Sequence, residues 1–77
     1  MNAGRRKKIR NAIELLEQAK DILNECMDEE QDYIDNMPEN LQNSDKYYSS
    51  EEAVNNLSEA IDNVDEAISN AESASEM

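Results

Sequence analysis

The sequence predicts an all-α fold: an antiparallel two-helix hairpin of coiled-coil character, which dimerisation can complete into a four-helix bundle. Three observations lead there. Apolar residues recur at alternating steps of three and four in two blocks of similar length. The only proline, Pro38, falls between the blocks. The 77 residues leave room for a single domain, and a chain this short buries about 60% of its unfolded surface.

The first block predicts a helix over about residues 5–36. Ile9, Ile13, Leu16, Lys20, Leu23, Met27, Glu30, Ile34 and Met37 form its heptad seam, with charges at Lys20 and Glu30. Ala12, Ala19, Cys26 and Tyr33 make a column beside the seam at seven-residue spacing. Cys26 reads there as a buried packing residue. Leu15 and Ile22 fall outside the seam, and with Ala19 and Cys26 they make a second apolar stripe. A lone hairpin offers one partner helix, so this stripe is expected to lie partly in water or to dock another chain.

The connection is expected over about residues 37–49. Pro38 ends the first helix and suits the start of a short helical turn through Leu41. Leu41, Tyr47 and Tyr48 fall within this stretch. They read either as a cap on the open end of the core or as a contact surface at the loop tip.

The second helix is expected over about residues 50–74. Ser49 and Glu52 have capping-box spacing at its start. Val54, Leu57, Ile61, Val64, Ile68 and Ala71 form its seam, flanked by Ala53, Ala60, Ala67 and Ala74. These alanines, with Ala12 and Ala19, are expected to let the two helices approach closely.

The net charge of -12 is unevenly placed. Arg5, Arg6, Lys7, Lys8 and Arg10 open the chain, and afterwards nineteen acids face only Lys20 and Lys46. An antiparallel fold is expected to bring the basic end beside Glu66, Glu72, Glu76 and the terminal carboxylate. Off the seam of the second helix stand Glu52, Glu59, Asp62, Asp65, Glu66 and Glu72, and no basic residue follows Lys46. An ordinary exposed helix mixes both signs. This face reads either as a device for solubility or as a polyanionic surface for a basic site on a partner.

Catalytic and ligand chemistry is poorly served. The chain has no His, which removes most acid–base and nucleophilic arrangements and the carboxylate–histidine sets of di-metal bundles. Asp28, Glu30, Asp32, Asn36 and Glu39 match the register of a calcium loop, but Tyr33 stands where that loop needs glycine. We therefore expect no enzyme activity, cofactor, metal or small-molecule substrate. Direct nucleic-acid binding is not expected, because the chain beyond its basic start would repel a polyanion. No apolar run approaches the ~20 residues of a membrane span, and no apolar core follows the basic residues as a signal peptide requires. The single cysteine permits no internal disulfide and suits a reducing, cytoplasmic setting.

The string EEQDYIDNMPENLQNS, followed by NNLSEAIDNVDEAI, resembles short acidic helical proteins encoded by phages and mobile elements of Gram-positive and gut bacteria. The resemblance runs from about Arg5 to Ala71. It implies a bacterial cytoplasm and no particular site residues. The function expected is that of a small interaction protein that binds, and by that binding inhibits, a host protein of defence or of nucleic-acid handling. The acidic helical face would imitate a nucleic acid. The alternative is a structural module that associates with itself as a helical bundle.

Overall fold

Asn2 starts the first helix, α1, which spans Ala3–Asp35 in the computed structural model; the structure describes all residues from Met1 to Met77. The Asn2 side-chain oxygen accepts from the Arg5 N–H at 2.8 Å, satisfying one of the four donors that a helix start leaves free. Thirty-three residues follow without a glycine beyond Gly4 and without a proline. Asn36 closes the helix, its backbone N–H and its side-chain amide both donating to the Asp32 carbonyl.

Pro38 then takes an extended backbone conformation, φ -58° and ψ 146°. The short helical turn expected after it forms as a 3-10 turn over Glu39–Leu41, with the Leu41 N–H donating to the Pro38 carbonyl. Ser44 caps the second helix, α2, which spans Asp45–Ser75. The Ser44 hydroxyl donates to the Leu41 carbonyl at 2.6 Å and accepts from the Tyr47 N–H at 3.3 Å.

This start corrects the expected one. The helix begins five residues before residue 50, and Ser49 lies inside it instead of capping it. The physical reason is packing. Tyr47 and Ser50 continue the three-and-four spacing of Val54 and Leu57 towards the turn, and both are shielded from solvent. Helix formation from Ser44 adds a further turn to the seam, and Asp45 in the first turn complements the helix dipole.

The two helices pack against each other as the expected hairpin, in an envelope of 59 × 14 × 12 Å. Every seam residue of both helices is buried or half-buried, and Arg6 extends the α1 seam by one step. The most shielded apolar residues are Ile34, Met37, Ile61 and Ile68, each still 8% exposed. Lys20, in the seam, bonds Asp65 across the helix pair at 2.6 Å. That pair defines the stagger: residues level with each other have numbers totalling 85. Ile34 and Glu51, which line one cleft with Gln31 and Val54, obey the same total.

The register corrects two further expectations. Lys20–Asp65 is the only ion pair between side chains within 4.0 Å, so Arg5, Arg6, Lys7, Lys8 and Arg10 pair with no acid of α2; the two ends meet instead through the Met1 ammonium, which donates to the Met77 terminal oxygen at 2.9 Å. At this stagger Arg10 is level with Ser75, and Arg5 to Lys8 lie towards Glu76 and Met77 instead of beside Glu66 or Glu72. Ala12 and Ala19 are exposed, and so is Cys26, which is not the packing residue expected. The heptad geometry explains this. Residues one before the seam are turned about 100° away from it. On α2 the corresponding alanines Ala53, Ala60 and Ala74 are half-buried, while Ala67 is exposed.

Candidate functional site: two opposed faces

Two candidate surfaces follow from one geometric rule. On α1, a residue one before a seam position is rotated about 100° to one side. The second helix runs the opposite way, so the same offset turns its residues to the same side of the hairpin. Residues one before the seam in either helix therefore share one broad face. Residues one after the seam share the opposite face.

The two faces differ in charge. On the face after the seam, α1 places Glu14, Glu17, Asp21, Asp28 and Asp35, and α2 places Glu51, Asp62, Asp65 and Glu72. The only cations there are Lys7 and Arg10 at the open end. Glu52, Glu59 and Glu66 stand at the back of α2, all exposed. The acidic face expected on α2 is thus one half of a larger surface to which α1 contributes as much. The spacing within either helix alone carries no sign that the α1 carboxylates join this face; the offset rule joins them once the pairing is antiparallel.

Lys20 lies at the edge of this surface. Its ammonium is held above its ordinary 10.5, first by its hydrogen bond to Asp65 and then by that carboxylate's charge, with Asp21 and Glu17 adding in the same direction against desolvation. Asp65 is therefore engaged with Lys20, whereas Glu52, Glu59, Asp62, Glu66 and Glu72 make no ion pair.

The opposite face is almost free of charge. The stripe Leu15, Ala19, Ile22 and Cys26 lies exposed on it, with Leu15 at 57% and Ile22 at 60% of their full accessibility. Ala12 and Tyr33 extend the stripe at the same spacing, and Glu29 is its one acidic position. The matching positions of α2 alternate: Ala53, Asn56, Ala60, Asn63, Ala67, Asn70, Ala74.

The loop-tip residues divide. Tyr47 and Tyr48 sit in the first turn of α2, not in the connection, and their rings meet edge to face at 5.8 Å. Tyr47 faces the seam, half-buried, and the charge of Glu51 holds its hydroxyl above its ordinary 10.0. Tyr48 is exposed and donates to the Asn43 side-chain oxygen at 3.4 Å. Leu41 is exposed on the 3-10 turn.

The calcium-loop register does not become a loop. Asp28, Glu30 and Asp32 lie on continuous helix and point to different sides, and no three acidic or cysteine side chains converge. Neither helix is long and apolar enough to cross a membrane. Comparison with known proteins finds no matching family model, no matching curated protein and no matching solved structure.

Proposed function

We propose that this chain is a non-enzymatic interaction protein that presents an acidic face to a basic site on a protein partner and blocks it. The observation that carries the reading is the segregation of charge. Nine carboxylates gather on the face after the seam, and the face before it carries one. Solubility alone requires net charge without requiring that it be sorted by side. A surface so sorted steers a basic partner over distances comparable to the Debye length, and it resembles the edge of a nucleic-acid backbone in sign. The resemblance to phage and mobile-element proteins supports a host protein of a bacterial cytoplasm as the target.

The test is capture from bacterial lysate by the tagged chain at low and high salt. A quadruple variant, Glu14→Gln, Glu17→Gln, Asp62→Asn and Glu72→Gln, runs in parallel. We expect a partner of basic surface charge, retained at low salt, released at high salt and lost by the variant. A partner held equally at both salt concentrations and by the variant would falsify the electrostatic reading.

A further inference from the structure

We propose that the uncharged face is covered by a second copy of this chain, with α1 lying antiparallel to α1 of its partner about a two-fold axis between Gln18 and Ala19. Area, charge and register each point to this occupant.

The exposed area calls for a cover. The hairpin exposes 5796 Å². A compact monomer of its mass exposes about 4,800 Å². The excess of about 1,000 Å² is close to the ~800 Å² that each partner contributes to a standard interface. Large side chains account for part of it, because Leu15, Ile22 and Tyr33 are each about half-exposed or more on this one face.

Charge favours a copy of the same chain. The start of α1 is basic and its last turn is acidic, the reverse of what its dipole favours at both ends. Within the hairpin the side chains at neither end of α1 form an ion pair. An antiparallel copy of α1 brings each basic end beside the acidic end of the other and sets the two dipoles head to tail. A generic basic partner would serve the acidic end and leave Arg5 to Arg10 repelled.

The register then fits without adjustment. With the axis between Gln18 and Ala19, Leu15 lies level with the partner's Ile22, and Lys8 lies level with the partner's Glu29. Lys8 and Glu29 are the charges of either sign nearest the stripe on that face, and the symmetry forms the pair twice. The same axis, carried through the hairpin stagger, places Asn63 of α2 level with the partner's Asn70, where side-chain amides can donate and accept in turn. The alanines between them leave room for close approach. The acidic faces point outward on both sides of the resulting four-helix bundle, so the inference stands independently of the proposed partner.

Sedimentation of the intact chain from micromolar to millimolar concentration tests it. We expect a species of twice the 8.8 kDa chain mass. Leu15→Asp with Ile22→Asp should be monomeric, with its helix content by circular dichroism retained because both positions are exposed. Lys8→Glu should weaken the dimer on the order of tenfold, as should Glu29→Lys, and the two combined should restore it. In a Cys26→Ser background, Ala19→Cys should cross-link to its own copy with a short bis-maleimide, while Asp62→Cys should not. A monomer at every concentration overturns the proposal. A dimer that ignores the charge swap or fails to cross-link at position 19 overturns it equally, and neither result bears on the acidic face.

Discussion

Lys20 Nζ stands 2.6 Å from Asp65 Oδ1, joining the two helices near the middle of their length and fixing their stagger. A lysine in a mostly apolar seam gives up packing there, and the partner waiting at one level of α2 makes a slipped register unfavourable. Single polar seam residues serve this purpose in other coiled coils. We expect Lys20→Glu to lower the melting temperature and Asp65→Lys to do the same, each by leaving like charges opposed. The double exchange should recover part of the loss. Additive losses in the double variant, measured by thermal circular dichroism, would show that the pair sets nothing.

Alkaline pH should weaken the fold. Lys20 is held above 10.5 by Asp65, and Tyr47 above 10.0 by the charge of Glu51. In both cases the folded state binds its proton more tightly than the unfolded chain. The stability each contributes is therefore complete below the ordinary value and lost as pH rises through the raised one. Thermal midpoints should stay level from neutrality to about pH 9.5 and fall beyond about pH 10. Tyr47→Phe should make that fall shallower, and an equal fall in the variant would rule Tyr47 out as its source.

The start of α2 can be located by mutation. Ser44 supplies the oxygen that accepts from the Tyr47 N–H, while Ser49 lies exposed in the second turn of α2. Ser44→Ala should cost about 1 kcal/mol of stability, within the usual 0.5–2 kcal/mol for a cap. Ser49→Ala should stay within about 0.5 kcal/mol of the parent. Urea denaturation of both variants decides the matter, and the reverse order would restore the later start.

The hairpin itself was readable because heptad spacing reports directly on which residues meet a partner helix. Ile34, Ile61 and Ile68 were in the expected seams and are among the most buried residues. The start of α2 was less readable, since Ser49 and Glu52 have the same local chemistry as Ser44, and only the polar seam residues Tyr47 and Ser50 favour the earlier choice. The exposure of Leu15 and Ile22 was legible from their offset. The sides on which the flanking columns fall were not, because an offset has a direction only after the relative orientation of the helices is known. For that reason Ala12 and Ala19 were expected inside the pair and lie outside it, and Glu14 and Glu17 were passed over.

The slender 59 Å envelope gives the net charge of -12 a linear character. It amounts to one elementary charge per roughly 5 Å of length, against one per about 1.7 Å along duplex DNA. Charges that close lie within one screening length of about 8 Å in physiological salt, so a neighbour feels a continuous line of potential. Two such rods side by side would halve the spacing to about 2.5 Å, and near that density small cations gather along a polyanion. A basic partner binding there would release those ions, so its affinity should decline as a power of salt concentration.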